Sequence, residues 1–205
     1  MRDMSTTLIL IAITCAVSFT AFNNPKMIDA LILWPPALSR NHEYHRLLSY
    51  GLVHADFQHL LFNMITLYFF GQAMEDFYNT ELGPYGFAAF YLLGLVASIL
   101  PTYLRHRNDA GYRSLGASGA VSAVLFAFIL LEPWARIYVY VIPVPAIVYA
   151  VLYIAYSIYM DKRGGDNVNH SAHLWGAAYG ALFTIIMEPR VLGHFLASLV
   201  SPGAG

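Results

Sequence analysis

Six long stretches of this chain carry no Asp, Glu, Lys or Arg: Met4–Pro25, Phe57–Met74, Leu82–Leu104, Ser114–Leu131, Ile137–Met160 and Asn167–Met187. Each runs 18 to 24 residues, and a helix needs about 20 to cross the hydrocarbon core of a bilayer. Six of them in 205 residues use most of the chain and leave no room for a separate soluble domain. Charged residues make up only 11% and hydrophobic ones 58%, the balance of a membrane protein rather than of a water-soluble one. The expectation is one all-α membrane domain over residues 1–205, with spans near 5–24, 57–77, 84–104, 116–132, 143–160 and 171–187.

The first window follows Arg2, and Ala16-Val17-Ser18 loosely fits a small-x-small cleavage site, so a signal peptide is its alternative reading. Five further spans make cleavage unnecessary for insertion, and the window is read as a span. The lone Cys15 excludes an intrachain disulfide and says nothing of redox compartment. No basic stripe suggests a nucleic-acid partner; the expected environment is the lipid bilayer. The connection from Lys26 to Asp56 is the long one. It holds Trp34-Pro35-Pro36, the polar run RNHEYHR at 40–46 and scattered apolar residues, which predict short amphipathic pieces lying in the membrane interface.

Polar groups at membrane depth are costly and each needs a reason. In the second span His59 and Asn63 stand at i and i+4, on one helix face, with His54 just before the membrane boundary. The fourth span opens with Gly116-Ala117-Ser118-Gly119, where free amides at a helix N-terminus suit a developing negative charge. The sixth places His173, Gly176 and Gly180 at i, i+3 and i+7, so the imidazole shares a face with a close-packing glycine groove. Taken singly, each has a plain structural reading: interhelical hydrogen bonds for His59 and Asn63, small-residue packing for the glycines and Ser118. Together they ask for one arrangement, with Ser118 as nucleophile, His173 as its general base and His59 and Asn63 as donors to an oxyanion.

On these residues the chain resembles the rhomboid intramembrane serine proteases. The family's His-x-x-x-Asn falls on His59 and Asn63, its Gly-x-Ser-Gly on Gly116 to Gly119, and its sixth-span signature on Ala172, His173, Gly176 and Gly180. Its earlier histidine falls on His54, and a glycine and glutamate near the end of the second span fall on Gly71 and Glu75. The resemblance implies a six-helix rhomboid-like bundle around a water-filled cavity, a Ser–His dyad with no acidic third member, and cleavage of transmembrane segments of other membrane proteins. It implies no cofactor and no metal. The alternative is a catalytically weak or inactive relative that binds membrane clients.

Two positions depart from the family pattern. His45-Arg46 stands where the family often has Trp-Arg, so Arg46 is expected to keep a structural role while the tryptophan's anchoring contact is left open. Ser122 occupies the place, one turn after the nucleophile, where the family frequently sets a tyrosine that stacks on the catalytic imidazole. Its hydroxyl either orients His173, directly or through a water, or the position is merely small for packing.

Rival chemistries find little in the sequence. A metalloprotease needs His-Glu-x-x-His on a helix, and zinc held by His42, His45 and His54 competes with an ordinary solvated loop; an aspartyl type needs two aspartates within spans. A proton-relaying transporter should carry internal repeats of spans, and none is visible.

The resemblance implies a cytoplasmic amino terminus and a site opening to the extracytoplasmic side, in a multi-pass protein expected in a bacterial plasma membrane. That orientation puts Lys26, Arg40, Arg46, Arg105, Arg107, Arg113, Lys162 and Arg163 outside, eight of the eleven basic residues, against the positive-inside rule. A substrate segment with small or helix-breaking residues is expected, because a helix must unwind to expose a peptide bond.

Overall fold

A computed structural model describes residues 5–201. In chain order the elements are α1 (Thr6–Ala21), α2 (Pro25–Leu31), α3 (Pro35–Asn41), α4 (Arg46–Ser49) with a 3-10 turn at Tyr50–Leu52, α5 (Phe57–Leu82), α6 (Gly86–His106) and α7 (Ser118–Leu131). A two-stranded antiparallel hairpin, β1 (Arg136–Val139) and β2 (Ile142–Pro145), leads into α8 (Ala146–Arg163), α9 (His170–Met187) and α10 (Arg190–Val200).

Six of these helices lie on the charge-free windows, with differences that have local causes. The fifth window does not begin as helix. Its first residues, Ile-Tyr-Val-Tyr-Val-Ile, are β-branched or aromatic and are followed by Pro143 and Pro145, so they form the hairpin and the helix starts only after the second proline. On the second window, α5 runs on past Glu75 and Asp76 to Leu82. Beyond the last window the chain bends by 113° at Glu188-Pro189 into α10. Among the described helices α6 alone is long and apolar enough to cross a membrane by itself; α1 and α7 are apolar but have only 16 and 14 residues, about 24 and 21 Å of helix.

The core is centred on α7, eleven of whose fourteen residues are buried. α7 packs most extensively on α9 and is flanked by α5 and α6, while α8 lies against α9 and touches α7 only lightly. Small residues set the α7–α9 distance. A Cβ on Gly176 would collide with the Gly119 carbonyl, and one on Gly180 with the Ala123 carbonyl, so the two backbones approach as closely as glycine allows. At the far end Tyr78 stacks on Phe90 at 4.1 Å and shares a 2.6 Å hydrogen bond with Thr184, tying α5, α6 and α9 together.

Glu75 fastens α1. Its carboxylate accepts from Ser5 Oγ (2.6 Å) and from the backbone amides of Thr6 (2.6 Å) and Thr7 (2.9 Å), supplying acceptors and negative charge to first-turn amides that have no partner within the helix. The long connection is held by Arg46, which is 6% exposed. It donates from Nη1 to the carbonyls of Asp29 (2.6 Å) and Ile32 (2.8 Å) and pairs with Glu43. His45 beside it is exposed, its Nε2 3.4 Å from the Ala30 carbonyl.

Candidate active site

Ser118 is the first residue of α7 and His173 lies in the first turn of α9. The glycine contacts between those helices bring the two side chains together, with His173 Nε2 2.7 Å from Ser118 Oγ. Asn169 caps α9, accepting from the amide of Ala172 (3.0 Å) and donating to Ser114 Oγ (3.1 Å). This cap fixes the start of the histidine helix to the segment that precedes the serine.

That segment is built from backbone pairings. Leu33 and Ser114 exchange hydrogen bonds as an isolated antiparallel bridge, and the Gly116 amide donates to the Tyr50 carbonyl at 2.9 Å. Gly116 has φ +107°, a conformation that L side chains rarely adopt, and a Cβ there would sit 2.5 Å from Cε1 of His59. Glycine therefore serves both the turn into α7 and the close approach of the His59 ring. Arg113, over the Trp34 ring at 4.7 Å, and Trp34 Nε1, which donates to the Ala110 carbonyl, hold the same segment against the long connection.

His54 is wholly buried and joins three parts of the chain. Its Nε2 accepts from the Ala117 amide at 3.3 Å, and its Nδ1 lies 3.0 Å from Ser18 Oγ, which donates to the Leu52 carbonyl at 2.8 Å. Since the Ser18 proton is committed to Leu52, the His54 proton resides on Nδ1 and points at Ser18. The ring also meets His59 edge-on at 4.9 Å. His54 thus supports the serine turn, and its partner on α1, Ser18, figures in the sequence only as part of a loose cleavage-site match, because a serine in an apolar helix carries no signal of such a bond.

His59, Asn63, Gly116, Ser118, Tyr153 and His173 line one cavity of about 1090 Å³, whose rim carries the exposed Asp109, Arg113 and Asp166. Asn63 spends one amide hydrogen on the His59 carbonyl at 2.9 Å, which leaves its second for a ligand. The amides at the start of α7 have no partner inside the helix and face the same end of the molecule.

Ser122 makes a different bond from either one expected of it. Its hydroxyl donates to the Ser118 carbonyl at 2.7 Å and lies 2.5 Å from Tyr153 Oη. The aromatic ring on His173 comes from α8: Tyr153 lies 6.0 Å from the imidazole, ring centre to ring centre, at 29° between planes. On another side His170 meets His173 edge-on at 5.8 Å, and its Nε2 is 3.0 Å from Asp166 Oδ2; that hydrogen bond holds the Asp166 carboxyl below its ordinary range. No carboxylate hydrogen-bonds His173 among the described residues.

Among the described residues no cluster of three or more His, Cys, Asp or Glu side chains could hold a metal ion. His42, His45 and His54 are not brought together. His54 faces Ser18 and Ala117, His42 Nδ1 lies 3.0 Å from Tyr44 Oη, and His45 turns to Ala30.

The chain is 29% identical over 197 residues to RHOMBOID-like protein 12, mitochondrial, of Arabidopsis thaliana, covering 88% of this chain and 57% of that protein. It is 33% identical over 136 residues to Rhomboid protein 1, mitochondrial, of Saccharomyces cerevisiae (63% and 38%) and 35% identical over 160 residues to RHOMBOID-like protein 4 of Arabidopsis thaliana (78% and 38%). The chain therefore spans between 38% and 57% of the length of these curated relatives. The family model described as the Rhomboid domain matches residues 41–190, a stretch that includes Arg46, His54, His59, Asn63, Glu75, Ser118 and His173, and the chain belongs to the rhomboid family.

Proposed function

We propose that this chain is an intramembrane serine endopeptidase that cleaves transmembrane segments of other membrane proteins. The observation that carries the reading is the 2.7 Å contact between Ser118 Oγ and His173 Nε2 at the wall of a cavity that also presents Asn63 and His59. A serine hydroxyl is a poor nucleophile until a base takes its proton. Here His173 Nε2 removes that proton as Ser118 Oγ bonds to the scissile carbonyl carbon. The resulting oxyanion accepts from the free Asn63 amide hydrogen, from His59 and from the amide of Ser118, donors already in place before the charge develops. The imidazolium then gives its proton to the leaving amine, the peptide bond breaks, and a water activated by the same base hydrolyses the acyl-serine. With no carboxylate on the imidazole the base is weaker than that of a triad, which argues for slow turnover.

In this reading all six helices on the charge-free windows lie in the bilayer as one domain, with the short α1 and α7 completed across its thickness by the residues that flank them. The family's members are integral membrane proteins, and two of the three relatives named above are mitochondrial by name. The expectation of a bacterial plasma membrane draws no support from them; the reading retains a multi-pass chain whose cavity opens on the side of the α6–α7 connection. The decisive experiment treats detergent-solubilised protein with a fluorophosphonate and maps the modified residue by mass spectrometry. Modification at Ser118, abolished in His173→Ala, together with loss of cleavage of a model transmembrane substrate in Ser118→Ala, is the expected result. Cleavage that survives Ser118→Ala overturns it.

A further inference from the structure

α8 is the least embedded of the long helices. Only Ala146, Ala150 and Ser157 are buried along its eighteen residues, while Val151, Leu152, Tyr156 and Tyr159 are exposed. One of its side chains nevertheless reaches the dyad. The ring of Tyr153 lies over the His173 imidazole, and its hydroxyl is 2.5 Å from Ser122 Oγ. Ser122 has a single proton, committed to the Ser118 carbonyl at 2.7 Å, so the phenol is the donor and Ser122 the acceptor. Phe126 at 5.5 Å and Tyr149 at 5.9 Å flank the Tyr153 ring.

These contacts close a circuit through three helices. It runs from Ser118 Oγ to His173, across the stacked rings to Tyr153, through its hydroxyl to Ser122, and back along one turn of α7 to Ser118. An imidazole without a carboxylate partner can rotate about its side-chain bonds, and a flat face on one side with the His170 edge on another removes that freedom. A ring anchored at its far end by a short hydrogen bond is a better wall than a free one, and Ser122 provides that anchor from the same helix that carries the nucleophile. The small residue at position 122 and the large one at position 153 complement each other: a tyrosine on α7 would occupy the space that the α8 tyrosine fills.

Resting on the dyad reading above, we propose that Tyr153 is the positioning residue for His173 and that Ser122 is its anchor, so that the competence of the base depends on α8 being docked against α7 and α9. Because Tyr149 and Tyr153 also form part of the cavity wall, the side chain that holds the imidazole is at the same time a wall of the space beside Ser118.

The test uses the full chain in detergent and reads three quantities: the rate of fluorophosphonate modification at Ser118, kcat and KM for a model transmembrane substrate, and the thermal midpoint. Tyr153→Leu removes the face and is expected to slow both Ser118 modification and kcat by about tenfold to a hundredfold, part of what a positioned general base contributes, with KM near the wild-type value. Tyr153→Phe and Ser122→Ala each keep the ring but lose the anchor and should be slower by a few-fold; the double variant should be no slower than either single one, as expected of two groups in one interaction. Tyr153→Trp, which restores an aromatic face, should recover much of the loss seen in Tyr153→Leu. Wild-type modification rates in Tyr153→Leu, or independent losses that multiply in the double variant, overturn the proposal. Where Tyr153→Leu fails to fold, the Tyr153→Phe and Ser122→Ala cycle decides alone. A wild-type protein that is not modified at Ser118 overturns the dyad reading itself and the positioning role with it, an outcome separate from normal wild-type labelling that Tyr153 does not influence.

Discussion

The Gly119 carbonyl occupies the place where a side chain on Gly176 would begin. Gly119 follows Ser118 directly, and Gly176 lies three residues after His173, so the closeness of α7 and α9 and the 2.7 Å contact between Ser118 and His173 are one geometric fact. Gly176→Ala is expected to push the helices apart, lowering stability by about 1–3 kcal/mol as overpacked interiors do, and to reduce Ser118 labelling beyond what the loss of folded protein accounts for. Gly193→Ala is the control: nothing stands within 4 Å of a Cβ at that position on α10, and alanine there should be neutral or stabilising by about 0.5–1 kcal/mol. Thermal midpoints in detergent, measured beside labelling rates, separate the two. A tolerated Gly176→Ala would mean that another contact sets the helix spacing.

Glu75 stands sixteen residues after His59 on α5, about 24 Å along a helix, and its bonds go to the start of α1 rather than to the cavity. Glu75→Ala strips acceptors from two amides and a hydroxyl at once and should cost about 1–3 kcal/mol of stability. At temperatures where the variant remains folded, its rate of Ser118 modification should match the wild type. A specific loss of reactivity at full folding would assign Glu75 a part in the chemistry that its position does not suggest.

The meeting of Ser118, His173, His59 and Asn63 around one cavity was legible because each signal is local. His59 and Asn63 declare themselves by i, i+4 spacing, Ser118 by the glycines around it, and His173 by the groove residues that follow it. Tyr153 was not legible, since Tyr149, Tyr153, Tyr156 and Tyr159 all sit in one apolar helix and nothing local says which of them turns inward. The usable signal was the one at Ser122: a missing ring on one helix leaves a space for a ring from another. The hairpin was hidden for the opposite reason. Ile137 to Ile142 is as free of charge as any span, and only Pro143 and Pro145 marked it as something other than helix.

His54 supplies a pH dependence of stability. Burial, reinforced by the neighbouring His59, pushes its imidazole down to about 3 from an ordinary value of 6.5. The folded state therefore refuses a proton that the unfolded chain takes up. Stability from this residue is complete above the unfolded value and declines as the pH falls from about 6.5 towards about 3, by at most about 1.4 kcal/mol per pH unit for one proton. Thermal midpoints recorded from about pH 8 to about pH 4 should fall on the acid side. His54→Gln should be less stable at neutral pH and flatter in its pH response. An equally steep acid limb in that variant would shift the effect to another group.

The α6–α7 connection, which carries Arg105, Arg107 and Arg113, lies at the cavity end of the molecule, whereas α10 follows the opposite end of α9. Arg113 is engaged with Trp34 and with the Ala110 and Tyr112 carbonyls, and Arg46 is buried in its own bonds, so neither is free to direct orientation. A reporter joined after Asp109 is expected on the extracytoplasmic side and one after Arg190 on the cytoplasmic side. The reverse pattern would turn the cavity towards the cytoplasm, as the count of basic residues favours.

Asn63 offers the sharpest separation of chemistry from binding. One of its amide hydrogens holds the His59 carbonyl at 2.9 Å, which fixes the side chain on the helix and leaves the other hydrogen facing the cavity that Ser118 lines. A donor that meets the oxyanion only after Ser118 has attacked stabilises the transition state and not the bound substrate. Asn63→Ala should therefore lower kcat by about a hundredfold or more, near the 3 kcal/mol typical of one oxyanion donor, with KM little changed. Asn63→Asp keeps the size but replaces the donor with a carboxylate that repels the developing charge, and should be at least as slow. If both variants instead raise KM at an unchanged kcat, Asn63 packs against the substrate, and the oxyanion is held by His59 and the amide of Ser118 alone.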